Sequence, residues 1–142
     1  MLCISIGEIV EIGYNGMKLS RYEIHCQCAW RLLDPSGKMI VAFDDVYRPP
    51  SHIEWSEDFC WDIKGGNLFD EKIEDFNKRC EEFHIEKAEV LKCRDLRIEF
   101  DNGVVFEAFA DSSVNENWRV FQRSPRSIHL VCDGNQLRTN TA

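Results

Sequence analysis

From Asp95 to Asp101 apolar and charged residues alternate strictly. Leu96, Ile98 and Phe100 are interleaved with Asp95, Arg97, Glu99 and Asp101, and Val104, Phe106 and Ala108 return beyond an Asn102-Gly103 pair. Successive side chains of a β-strand point to opposite faces, so this spacing places Leu96, Ile98 and Phe100 on one side and Val104, Phe106 and Ala108 on one side of the returning strand. Asn-Gly supplies the two-residue turn whose twist matches that of paired strands. The stretch predicts an antiparallel hairpin with one buried face.

The same period recurs upstream. Leu2 to Ile12 reads as a first strand, and Gly13-Tyr14-Asn15-Gly16 tolerates the positive φ angles of a reversal. From Leu19 to Leu33 the residues Tyr22, Ile24, Cys26, Cys28, Trp30 and Leu32 alternate with Glu23, His25, Gln27 and Arg31, predicting one long return strand. Asp34-Pro35-Ser36-Gly37 is a turn with proline at its second position, and a third strand is expected from Lys38 to Tyr47. Arg48-Pro49-Pro50-Ser51 ends it, because two prolines cannot continue a hydrogen-bonded ladder.

No period is sustained from His52 to Gly66, which predicts an ordered, irregular surface connection. Asn67 then stands where a helix cap is needed, with Asp70 and Glu71 in the first turn, where the helix dipole favours negative charge. Phe69, Ile73, Phe76, Cys80 and Phe83 form one apolar stripe, expected to lie on the sheet, while Glu74, Asp75, Lys78, Glu81 and Glu82 face outward. Further strands are expected at 85–92, 117–122 and 127–132, followed by a polar tail that frays from Gly134 onward.

At 142 residues the chain has the length of a single domain, with no repeat or linker to divide it. The order of elements predicts an α+β fold: a curved antiparallel sheet of about seven or eight strands with one main helix packed on it. The opening run LCISIGEIVEI carries Glu8 and Glu11 and lacks a basic leader, so it reads as a strand and not as a signal peptide. No segment reaches the ~20 apolar residues of a membrane helix. A cytoplasmic location is expected, with the seven cysteines kept as thiols.

Charge is the sequence's main functional signal. The stretch 41–87 carries thirteen acids against six bases, whereas the rest of the chain is nearly balanced within a net charge of −8. Trp55, Phe59, Trp61 and Phe69 stand among these acids. Such a surface repels nucleic-acid phosphate and attracts basic partners.

Motifs for chemistry are weak by comparison. His25-Cys26-x-Cys28 lacks the spacing of zinc sites, and two thiols on the apolar side of a strand act as small hydrophobes. No serine or cysteine stands in a nucleophile signature, and Gly65-Gly66 lacks the lysine and serine of a phosphate loop. Asp44 and Asp45, neighbours on a strand, would point to opposite faces. No cofactor or metal is expected.

The motifs Ile24-His25-x-x-x-x-Trp30-Arg31, Asp45-x-Tyr47-x-Pro49, Trp61-Asp62, Asn67-Leu68-Phe69-Asp70-Glu71-Lys72, Asp95-Leu96-x-Ile98-x-Phe100-x-Asn102-Gly103 and Glu116-x-Trp118-Arg119 span residues 24 to 119. In these the chain resembles a family of small bacterial cytosolic proteins. They are similar in size, charge and strand-rich character to immunity proteins, which neutralise toxins in bacterial competition systems. The resemblance and the charge pattern together lead to a non-enzymatic inhibitor of a basic toxin domain, such as a nuclease. Its expected contact face comprises Asp44, Asp45, Glu54, Trp55, Glu57, Asp58, Trp61, Asp62, Asp70 and Glu71. The alternatives are a small enzyme or ligand-binding protein with a pocket between sheet and helix, using His25, Arg31 and cysteines, and a homodimer formed through the aromatic patch.

Overall fold

The computed structural model describes residues 1–141, among which are ten strands, one α-helix and one 3-10 turn. The strands form two five-stranded sheets, not one curved sheet. The chain divides into two compact units, residues 1–29, 90–96 and 108 onward in the first, residues 30–89 and 97–107 in the second.

The correction originates at residues 27–28. The expected strand from Leu19 to Leu33 is two strands, β2 (Lys18–Cys26) and β3 (Ala29–Leu33), which belong to different sheets. The amides of Gln27 and Cys28 both donate to the carbonyl of Asn117, at 2.8 and 3.2 Å. Two residues therefore face one, a bulge that bends the strand. Even-numbered positions stay buried on both sides of the bend, at Ile24, Cys26, Cys28 and Trp30, so alternation alone does not reveal it.

In the first unit β1 (Leu2–Ile12), β2, β8 (Glu116–Gln122), β9 (Ile128–Asp133) and β10 (Gln136–Thr141) lie side by side in that order, every neighbour antiparallel. Ile24, Cys26, Cys28, Trp118 and Cys132 make its core. Asn117, 1% exposed, sits among them with its polar atoms satisfied. Its Oδ1 accepts the amides of Asp111 and Ser112 at 3.0 and 2.9 Å, and its Nδ2 donates to the Ser112 carbonyl at 2.9 Å. The polar stretch expected to fray from Gly134 instead forms β10, paired with β9 from Gln136 to Thr141. Its composition reports exposure, since all six residues are exposed, but ladder bonds come from the backbone whatever the side chains. Ala142, the end of that expected tail, lies outside the described residues.

The second sheet runs β4 (Met39–Ala42), β3, β7 (Val105–Phe109), β6 (Leu96–Phe100), β5 (Ile85–Val90). The third strand stops at Ala42, short of the expected Tyr47, and Phe43–Tyr47 form the 3-10 turn. The Asp45 carboxylate accepts the Ala42 amide at 3.0 Å, and such local bonds draw a backbone out of a ladder. α1 (Leu68–Arg79) begins where expected, with Asn67 Oδ1 accepting the Asp70 amide at 2.8 Å. Its stripe meets the sheet through rings: Phe69 lies edge-on to Trp30 at 5.6 Å, and Phe76 touches Phe83, which touches Phe100. The helix ends at Arg79, so Cys80 and Phe83 extend the apolar face from beyond it. Glu74–Lys78 and Asp75–Arg79 pair across one helical turn on the outward side.

Four reversals share one geometry. At 13–17, 34–38, 91–95 and 100–104 the first residue's carbonyl accepts from the fourth and its amide donates to the fifth. This is a three-residue loop with a bulge whose fourth position needs positive φ. Gly16, Gly37 and Gly103 fill it in three of them, and Arg94 fills it in the fourth at φ +75°. Asn102-Gly103 is therefore not the expected two-residue turn. That turn needs positive φ at both residues, and only Gly103 has it.

No helix among the described residues is long and apolar enough to cross a membrane.

Candidate functional site

The second unit carries eighteen acids against nine bases, the first unit seven against eight. The unit that contains the stretch 41–87 therefore carries more than the whole net charge of the chain, and the first unit is slightly positive. Within that unit, residues 48–66 have no regular structure, yet the segment is fastened to α1 at three points. Glu71 accepts from the amide and hydroxyl of Ser51, at 2.9 and 2.5 Å. Asp70 accepts from the Gly65 amide at 2.7 Å. Asn67, 5% exposed, donates its Nδ2 to the Trp61 carbonyl at 2.9 Å while its oxygen caps the helix. Backbone groups that no ladder satisfies are thus taken up by side chains from α1 and its cap.

This fastening presents apolar groups outward. Trp55 is 63% exposed and Trp61 50%, and Ile53 and Ile63 are exposed as well. Trp61 meets Tyr47 with ring centres 5.4 Å apart, and Tyr47 meets Phe43 at 5.9 Å. The three rings form a partly exposed chain from the 3-10 turn to the loop. Phe59 is half-buried and Phe69 packs on Trp30, so only the two indoles of the four expected aromatics face solvent.

The ten residues expected on the contact face separate into two groups. Glu54, Glu57 and Asp58, close to Trp55 in sequence, are exposed and make no hydrogen bond or ion pair among the described residues. The other acids have structural partners. Asp44 pairs with Arg48 at 2.9 Å, and Asp45 pairs with Lys72 at 3.0 Å, tying the 3-10 turn to α1. Asp62 accepts from the Cys60 thiol at 2.9 Å, which pushes that thiol up. Asp70 and Glu71 hold the loop, and the Ser51 hydroxyl and amide keep the Glu71 carboxyl below its ordinary range.

Sequence reading placed Glu74, Asp75 and Lys78 on a solvated face and gave them no role. With Pro50, His52, Gly65, Asp70 and Glu71 they line an open groove of about 350 Å³ between the loop and the outer side of α1. Its lining has four carboxylates to one lysine. Glu71-x-x-Glu74 and Asp70 to Glu74 fall on one helical face, a spacing the sequence did display. Phe43 and Tyr47 were also missed, because an assumed strand would hold them about 13 Å apart and only the 3-10 turn brings their rings together.

The histidines and cysteines named for an enzymatic alternative lie elsewhere. His25, in the first unit, hydrogen-bonds through Nε2 to Glu23 at 3.0 Å, and Glu23 also accepts from Arg123 at 2.5 Å. Burial pushes the Glu23 carboxyl up, but His25 and Arg123 together outweigh it and hold the group below its ordinary range. Cys3 is the register partner of His25 across β1 and β2. Burial, followed by the Glu23 charge, pushes its thiol up, the opposite of what a nucleophilic cysteine needs. Ser127 Oγ lies 2.8 Å from both the Gln122 carbonyl and His129 Nε2. Its single hydrogen serves the carbonyl, so the imidazole donates to the hydroxyl and does not activate it.

Arg31, in the second unit, pairs with Glu107 at 2.6 Å. The Cys28 hydrogen bond and then burial push the Cys26 thiol up, while accepting that bond draws Cys28 down. Both are almost wholly buried, as expected of small hydrophobes. Among the described residues no three His, Cys, Asp or Glu side chains are grouped as metal ligands would be.

No family model matches the chain, and no curated protein or solved structure does.

Proposed function

We propose that the protein is a non-enzymatic binding protein of the immunity type, whose second unit covers a basic site on a toxin partner. The observation that carries this reading is the pairing of two solvent-facing indoles, Trp55 and Trp61, with carboxylates that have no internal work, Glu54, Glu57 and Asp58. A unit with eighteen acids to nine bases attracts a cationic surface from a distance, and such steering accelerates association about 10–10³-fold. Indoles then provide the desolvated anchor, since Trp is among the residues that dominate interface energies. A loop already fastened by Ser51, Trp61 and Gly65 loses little freedom on binding, which favours affinity. A nuclease cleft, lined with cations for phosphate, is the kind of surface this face matches.

The test is to titrate the protein against the product of the neighbouring reading frame and follow association at several ionic strengths. The triple variant Glu54→Lys, Glu57→Lys, Asp58→Lys is expected to slow association at least about tenfold and to flatten its salt dependence. No complex, or a complex indifferent to both salt and charge reversal, would end the reading.

A further inference from the structure

The two edges of the first sheet are finished differently. β10, at one edge, is exposed at all six positions and carries Arg138 among glutamine, threonine and asparagine, with Leu137 its one apolar residue. β1, at the other, begins Leu2-Cys3-Ile4-Ser5-Ile6, five residues without charge or proline in a chain that is 30% charged. This segment pairs regularly with β2, from Leu2 opposite Cys26 to Ile6 opposite Tyr22, and the register breaks only beyond it. Free edges are ordinarily blunted by charge, proline or a bulge, and here the bulge starts where the uncharged stretch stops.

Leu2, Ile4 and Ile6 share the face that carries Ile24 and Cys26, each 1% exposed, yet all three are only half-buried. One further strand beside them would cover more of these three side chains. The segment alternates large apolar and small residues symmetrically about Ile4. An antiparallel copy therefore sets Ile4 against Ile4, Leu2 against Ile6 and Cys3 against Ser5, with every large side chain on the same face. A shift of one residue would turn these side chains to the opposite face, and a shift of two would leave fewer of the five residues paired, so the pairing centred on Ile4 is favoured.

Charge selects the same occupant. A cationic partner is drawn to the second unit, and two copies meeting through that unit would repel each other. The first unit, with seven acids to eight bases, offers no such barrier to a second copy of itself. We propose that the Leu2–Ile6 edge is a self-pairing surface that joins two chains about a two-fold axis at Ile4. Five residues of strand span only about 17 Å and bury less than the ~800 Å² per partner of a stable interface, so the dimer is weak, with a Kd of about 1 μM or higher.

Sedimentation equilibrium from low micromolar to near-millimolar protein, with hydrogen exchange measured across the same range, tests this. The expected result is a monomer–dimer equilibrium in which amide protection within residues 2–6 rises with concentration. The variant Cys3→Lys, Ser5→Lys, altered only at exposed side chains, should be monomeric at every concentration with an unchanged circular dichroism spectrum. Trp55→Ala should dimerise as the parent does. A parent that is monomeric throughout, or a dimer that survives the lysines with residues 2–6 unprotected, overturns the proposal. A dimer lost in Trp55→Ala would place association on the aromatic face and overturn it equally.

Discussion

Asn67 holds Trp61 by its carbonyl: the Nδ2 of the helix cap donates to the backbone oxygen of the indole-bearing residue at 2.9 Å. One buried side chain thereby starts α1 and fixes the loop that presents the aromatic face. Replacing Asn67 by Asp keeps the cap acceptor and removes the donor. Exchange at residues 61–66 should quicken while global stability falls by only about 1 kcal/mol. Asn67→Ala removes both bonds and should cost about 2 kcal/mol in urea unfolding.

Trp55 and Trp61 should matter to binding far more than to folding. Trp55→Ala, at a site that is mostly exposed, should change stability by no more than about 0.5 kcal/mol. Trp61→Ala, which also gives up the Tyr47 ring contact, should cost about 1 kcal/mol. Either should weaken a cognate complex by about 2 kcal/mol, roughly thirtyfold, in calorimetric titration. Unaltered affinity in both variants would argue that the indoles are not the anchor.

Asn117 supports the opposite prediction. Its side chain satisfies two amides and a carbonyl at a site with no access to water, and its own carbonyl holds the bend at Gln27 and Cys28. Asn117→Ala strands those groups and should destabilise the protein by at least about 3 kcal/mol, read as a lower urea midpoint. A loss below about 1 kcal/mol would show that the Asp111 and Ser112 backbone does not depend on this side chain.

Arg94 occupies a backbone position that the three equivalent turns give to glycine. Arg94→Gly relieves a positive-φ cost of about 1 kcal/mol and gives up one exposed hydrogen bond to the Asn135 carbonyl. Trp118 Nε1 donates to the Arg94 carbonyl, which the substitution retains. A net gain of about 0.5 kcal/mol is expected, visible as a higher urea midpoint. Gly103→Ala should lose stability, because an added Cβ would lie 3.0 Å from Pro35 at a φ of +83°.

Acid should unfold the protein partly through Glu23. Its carboxyl is held low in the folded state, so its stabilising effect is complete above the ordinary glutamate value of about 4.3. The effect is lost as pH falls through the depressed value. Glu116, held low mainly by Arg119, acts in the same direction. Glu23→Gln should cost about 2 kcal/mol at neutral pH and show a shallower loss of stability from pH 5 to pH 3 than the parent. Parallel pH profiles for the two proteins would contradict this role.

By itself the sequence determined the elements that neighbouring residues define. The alternation of Leu96, Ile98 and Phe100 with charged residues, and the stripe from Phe69 to Phe76, follow from backbone periods that a few residues suffice to express. The Asn67 cap and the surplus of acids around Trp55 and Trp61 were equally local and equally legible. Only the tertiary structure decided what distant partners control. A carbonyl at residue 117 divides the 19–33 strand between two sheets, and Lys72, 27 residues on, ties Asp45 of the 3-10 turn to α1. Ser51 and Gly65 occupy Glu71 and Asp70 and leave Glu54, Glu57 and Asp58 to solvent. A carboxylate's role depends on which donor folding brings beside it, and donors remote in the chain leave no trace in the local pattern.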